Sequence, residues 1–264
     1  MRLIALQYHD VVDGHDFDSS GVPGGDANTY KLRRELFEQH VAAITAAHRP
    51  TPPMLLGDQT PSVLFTFDDG GVSAAGPTAD VLERFGWRGV FLMTTDWIGR
   101  PGFLTPSQLR ELVERGHVIG AHSCSHPVRF AACTADQMRQ EWVESRTRLE
   151  DLLGTAVHVA SVPGGYYSRE VARTAGEAGI QVLFTSEPVV RPHTVSGCRV
   201  HGRFTLRTWS SAAYAARLAA GHVVPRVSQW IVWNGKKLAK TVGGAGYLRI
   251  RRSLLGGARP ESAL

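Results

Sequence analysis

The chain has 264 residues, 43% hydrophobic and 20% charged, with a formal net charge of +5. That composition belongs to a soluble globular protein and excludes a disordered or fibrous one, and no run of about 18 apolar residues suggests a membrane span. The charge is unevenly divided: residues 1–202 carry 18 Lys and Arg against 23 Asp and Glu, whereas residues 203–264 carry 11 basic residues and a single acid, Glu261.

Leu3–Gln7 reads as a first strand, and its apolar run is too short for a secretory signal core. Cys124, Cys133 and Cys198 contain no CxxC pair and suggest free thiols in a reducing compartment. Both readings predict a cytoplasmic protein. Residues 10–30, rich in Asp, Gly and Ser, read as a long loop of the kind that is often functional. Residues 31–48 place Leu32, Leu36, Val41 and Ile44 near one helical face, and Pro50, Pro52 and Pro53 end that helix.

Val63–Phe67 is a buried-type strand running into Asp68-Asp69-Gly70-Gly71, followed by a helix around 77–85 and the strand Val90–Thr94. Thr105, Pro106 and Gln108 supply a cap, a first-turn proline and a capping-box partner for a helix reaching Gly116. Val118–Ala121 is the next strand, and Thr134 with Gln137 starts a capped helix to Gly154. Val157–Val162 is a strand ending in Pro163-Gly164-Gly165. Ser168 caps a helix to about Ala178, Gln181–Thr185 is a strand, and Arg199–Leu206 looks like the last. Strands alternating with helices predict βαβ units and a parallel sheet, and this many units suggest a closed or nearly closed barrel.

In a parallel barrel the active site lies where strand C-terminal ends meet the following loops. Three polar clusters sit at such ends: Asp68-Asp69, His122-Ser123-Cys124-Ser125-His126, and Pro163-Gly164-Gly165-Tyr166. Two His and a carboxylate form a common ligand set for zinc or a similar divalent metal. Of two adjacent carboxylates at a strand end, one can bind metal while the other serves as a base, because successive side chains point in different directions. Gly164 and Gly165 allow backbone to approach a substrate. Trp97, after the strand Val90–Thr94, is a candidate to line a substrate site, with core or rim packing the alternative.

Together TFDDG, HSCSHP and PGGYY resemble, in order and spacing, the polysaccharide deacetylases (the NodB-homology group, carbohydrate esterase family 4), and QYHDVV resembles the first strand of many members. The resemblance covers roughly residues 3–206. It implies a distorted (β/α)7–8 barrel and metal-dependent removal of N-acetyl groups from a sugar or glycan. The metal would be zinc, with cobalt, nickel or manganese as alternatives. Carried over, Asp69, His122 and His126 bind the metal, Asp68 is the general base, and Tyr166 offers its backbone N–H to the oxyanion. Two departures stand out. Ser161 occupies the place of an arginine that orients the base in many members, and the late Leu-x-Leu-His segment supplying a general acid is absent. His201 is the nearest equivalent acid, and His9 at the end of the first strand competes with it. Non-catalytic sugar binding and hydrolysis of another C–N bond, a formyl amide or ureide, stay open.

Residues 1–206 are thus expected to form the barrel and 207–264 a basic helical extension packed on it. Residues 210–220 have high helix propensity, and Trp230, Ile231, Trp233 and Leu238 lie beside Lys236, Lys237 and Lys240. The Tyr247–Leu255 segment again mixes apolar and basic residues. Such segments suit peripheral contact with an anionic membrane. No nucleic-acid module is recognisable, and no nucleic-acid partner is expected.

Overall fold

The strand β4, Val63–Phe67, shows how sequence parity builds this molecule. Successive side chains of a strand face opposite sides. Val63, Phe65 and Phe67 point outward into a large core shared with the helices, while Leu64 joins a second, inner cluster with Leu3, Ala5, Val90, Leu92, Val159, Val182 and Phe184. The same parity carries Thr66 and then Asp68 inward. Residues 3–53, 55 and 62–235 are described by the structure, a computed structural model.

Parallel strands β1 (Ile4–Tyr8), β4, β5 (Val90–Met93), β6 (Val118–Ala121), β7 (Val159–Ser161) and β8 (Val182–Phe184) stand side by side in that order. Helices α2 (Arg34–Thr45), α3 (Pro77–Arg84), α4 (Pro106–Glu114), α5 (Ala135–Leu153), α6 (Arg169–Glu177) and α7 (Ala212–Ala219) accompany them, preceded by the single turn α1 (Gly25–Asn28). Both capping boxes read from sequence are formed, Thr105 with Gln108 and Thr134 with Gln137. Trp142 of α5 is fully buried against Phe130, with ring centroids 4.7 Å apart. Burial of a side chain that size contributes about 3 kcal/mol.

The barrel closes through a single run of chain. β10 (Cys198–His201) pairs with β8, and β11 (Arg203–Thr205) pairs with β1, so the two ends of the sheet are joined through Gly202. A Cβ on Gly202 would lie 2.2 Å from the Glu187 carbonyl oxygen and 2.5 Å from that of Val189, so the crossing requires glycine. The result is a distorted parallel α/β barrel of seven strand positions.

Three local readings are revised. The expected last strand divides into β10 and β11, and an antiparallel partner, β9 (His193–Val195), adds to β10. The helix expected from residue 31 starts at Arg34, because β3 (Leu32–Arg33) pairs in parallel with β2 (Val11–Val12). Tertiary pairing here overrides helix propensity. The loop over 10–30 therefore contains β2, α1 and the 3-10 turn Phe17–Ser19. Beyond α7, residues 223–235 are helical. The basic residues from Lys236 onward and the Tyr247–Leu255 segment lie outside the described residues. Among the described residues no helix is long and apolar enough to cross a membrane.

Candidate metal centre and active site

The barrel mouth gathers residues from five strand ends. Asp69 follows β4 with φ +75°, which turns its carboxylate away from the direction of Asp68. His122 follows β6, its N–H donating to the Met93 carbonyl at 2.7 Å. Ser123 (φ +64°) and His126 (φ +57°) fold the next loop back, and the His126 N–H donates to Ser123 Oγ at 3.1 Å. Left-handed conformations cost non-glycine residues about 1–2 kcal/mol each and concentrate at functional sites. Glu141 of α5 secures this loop, accepting from the Cys124 and Ser125 amides, each at 2.8 Å.

The outcome is a compact cluster. Asp69 Oδ1 lies 3.4 Å from His122 Nε2 and 3.6 Å from His126 Nε2, and one donor atom from each residue falls within 4.8 Å of the others. Asp69 Oδ1 is buried without a hydrogen-bond partner. Burial pushes the Asp69 carboxyl up to about 6, with the nearby Asp68 and Asp10 carboxylates adding and His9 opposing. Burial also pushes His122 down to about 3, against the attraction of Asp68, and lowers His126. Two neutral imidazoles and an orphaned carboxylate oxygen converging on one point fit a divalent cation such as zinc. Trp97 stacks on His126 at 5.2 Å and walls this side, while Cys124 faces Asp96 instead, its thiol pushed up to about 12 chiefly by burial.

Asp68 has a different environment. Arg203 of β11 grips it in a fork, Nη1 to Oδ1 and Nη2 to Oδ2, each at 2.7 Å, with both side chains at most 1% exposed. Gln7 donates to Oδ2 at 2.7 Å and Ser161 to Oδ1 at 3.0 Å. Burial alone would raise the Asp68 carboxyl, but the Arg203 guanidinium, aided by His122, holds it well below the usual carboxylate range. Ser161 Oγ also lies 2.6 Å from His122 Nδ1. When Nε2 serves as a ligand, Nδ1 carries the proton and donates to Ser161, which donates onward to Asp68. Ser161 thus couples a candidate metal ligand to the candidate base, and Arg203 supplies the guanidinium from another strand.

The two candidate acids separate. His9 carries a buried, unpartnered Nδ1, stacks with Tyr30 at 4.8 Å and is near enough to both carboxylates to act on them electrostatically. His201 is not brought to the cluster. It ends β10, two residues before Arg203, in register with Phe184 and with its ring against Phe184 at 5.9 Å. Burial, then the Arg199 guanidinium, lowers it to about 4, so it is neutral at pH 7. Pro163 is buried, and Gly164 (φ +64°) and Gly165 (φ +69°) make the turn that presents Tyr166. Arg203 and Gln7 are the residues sequence reasoning missed. Their inward parity, shared with Thr205 and Ala5, was the available signal.

Comparison with known proteins agrees with this geometry. Residues 57–183 match the polysaccharide deacetylase family. YxkH of Bacillus subtilis is 26% identical over 196 residues, covering 71% of this chain and 65% of that protein. The peptidoglycan-N-acetylmuramic acid deacetylase PdaA of Bacillus subtilis is 27% identical over 127 residues, covering 47% of this chain and 46% of PdaA. A chitooligosaccharide deacetylase of Sinorhizobium fredii is 29% identical over 131 residues, covering 49% and 59%. The chain thus spans between about half and 65% of these relatives. In fold it is similar to IcaB from Ammonifex degensii, with TM-score 0.65, 20% identity and coverage of 83% and 97%. The Streptococcus pyogenes deacetylase PplD, solved in complex with acetate, gives TM-score 0.63, 16% identity and coverage of 81% and 96%.

Proposed function

Since the chain belongs to the polysaccharide deacetylase family, we propose that it is a metal-dependent hydrolase that removes N-acetyl groups from a sugar or glycan. The observation that carries this reading is the convergence of Asp69, His122 and His126 donor atoms beside an ionised, rigidly held Asp68. An amide carbonyl is a poor electrophile and water a poor nucleophile. Held by those three side chains, a divalent ion would acidify water and polarise the carbonyl. Asp68 remains ionised at neutral pH and serves as base. Its two oxygens already accept four hydrogen bonds, so proton uptake at Oδ2 needs Gln7 to withdraw; the Gln7 amide already reaches Ser186 Oγ at 3.1 Å. His9 returns a proton to the departing amine, and the Tyr166 N–H serves the oxyanion, a contribution of about 3 kcal/mol where such a donor is well placed.

Incubation with N-acetylglucosamine oligomers and lipid-linked N-acetyl sugars, with and without Zn²⁺ or Co²⁺, tests the reading. Metal-stimulated acetate release is expected, and no release from any substrate sinks it. The fully engaged Asp68 favours one rival, sugar binding without turnover, which predicts ligand binding by a wild type that releases nothing.

Peripheral contact with an anionic membrane is a second part of the proposal. Val223, Val224, Trp230 and Ile231 are all more than half exposed on the helix over 223–235, and Lys236, Lys237 and Lys240 follow in sequence. Each Lys near an anionic surface adds about 1 kcal/mol. Co-sedimentation with phosphatidylserine vesicles but not phosphatidylcholine vesicles is expected; equal partition to both would count against it.

A further inference from the structure

A cavity of about 410 Å³ lies between the barrel mouth and the helix over 223–235. Ser186 and Thr205 form its barrel side, and both bond Gln7, at 3.1 and 2.8 Å, while Gln7 bonds Asp68. One side chain therefore separates the cavity from the candidate base. On the helix side, Trp233 packs so tightly on Gly165 that a Cβ there would lie 2.9 Å from Trp233 Cη2. Trp233, which lines the cavity, thus also borders the Pro163-Gly164-Gly165-Tyr166 turn.

The chemistry of its walls is selective. Trp209, 66% exposed, Tyr214 and Trp233 offer aromatic faces. The Arg207 guanidinium lies 5.1 Å from the Tyr30 ring centroid and 5.4 Å from that of Trp209, which fixes its position. Arg207 Nε and Trp233 Nε1 are buried without hydrogen-bond partners. Arg207 is the one charged residue among the described residues lining the cavity. Aromatic faces suit the apolar faces of sugar rings, unpartnered N–H groups need acceptor oxygens, and a planar guanidinium with no lining acid favours an anion with paired oxygens.

We infer that this cavity binds the sugar unit next to the one being deacetylated, and that this neighbouring unit carries an acidic group held by Arg207. Which unit faces Asp68 rests on the deacetylase reading; the binding site does not.

The test measures tryptophan fluorescence on the wild-type full chain, treated with EDTA to suppress turnover. The ligands are N-acetylglucosamine linked to a muramic-acid unit, the same sugar linked to a sugar phosphate, and neutral diacetylchitobiose. The acidic disaccharide, whether carboxylate or phosphate, is expected to bind at least roughly ten-fold tighter than the neutral one at low salt. That ratio should fall to near parity in Arg207→Gln and persist in Arg207→Lys, with thermal unfolding confirming that each variant is folded. Ser228→Trp, which fills the cavity, should weaken all three ligands. Equal wild-type binding of acidic and neutral ligands, or a preference that survives Arg207→Gln, overturns the inference. If the preference holds while metal-loaded protein releases no acetate, the cavity assignment stands and the deacetylase reading fails.

Discussion

Replacing Arg203 by Met removes the cation that makes Asp68 tolerable inside the barrel. Both side chains are essentially inaccessible and joined by two 2.7 Å contacts, so solvent screening does not discount the interaction. Removing one partner of such a pair costs about 3–5 kcal/mol, because the other charge stays buried and unpaired. Gln7 and Ser161 still donate to Asp68, which places the expected loss near the lower end, about 3 kcal/mol at pH 7. The pH dependence follows from the sign of the shift. In the wild type the folded Asp68 carboxyl lies below its unfolded value of about 3.9, so its contribution is present above that pH and is lost as pH falls. In the Met variant burial raises the same carboxyl, and protonation relieves it. Urea unfolding should therefore show the two proteins far apart at pH 7, with the gap narrowing as pH falls toward about 4 and closing further below it. A difference under about 1 kcal/mol at pH 7, or one that does not change with pH, would refute the reasoning.

Two further outcomes are expected. His9→Asn should lower metal-stimulated acetate release by about 10²-fold or more, whereas His201→Asn should leave it within a few-fold, because of these two histidines His9 is the one near both carboxylates; the reverse ranking in initial-rate assays would restore His201 as the acid. Gly165→Ala should destabilise the fold by about 1–2 kcal/mol from its φ of +69° and also displace Trp233, visible as a red shift in tryptophan emission. An unchanged emission maximum and melting temperature would contradict that packing.

What could be read from sequence was what the strand ends declare locally. VLFTF fixes the parity that turns Asp68 inward, and the βαβ rhythm places His122-Ser123-Cys124-Ser125-His126 at the same rim. The fork between Arg203 and Asp68 was not legible, because the two lie 135 residues apart and meet only when the barrel closes. Ser161 could be seen as a departure from the arginine pattern, but not that a guanidinium reaches the base from β11. Where His201 stands was not legible for a related reason: the expected last strand crosses at Gly202 from β8 to β1, so its two halves belong to different strands. The start of α2 was misread because Leu32 and Arg33 satisfy a helical period equally well, and only the pairing with Val11 and Val12 decides. The 207–264 segment reads as a helical extension packed on the barrel, but the sequence does not show that its helix over 223–235 walls a cavity one side chain away from Asp68.

The central claim is that Asp69, His122 and His126 hold a metal that drives deacetylation. It is tested most directly by chelating the protein, titrating Zn²⁺ back, and following bound metal and released acetate together in the wild type and in Asp69→Asn. The expected result is one high-affinity Zn²⁺ per wild-type chain, with acetate release rising in proportion, and loss of both in the variant. Acetate release that ignores the metal, or tight Zn²⁺ binding undiminished in Asp69→Asn, would contradict it.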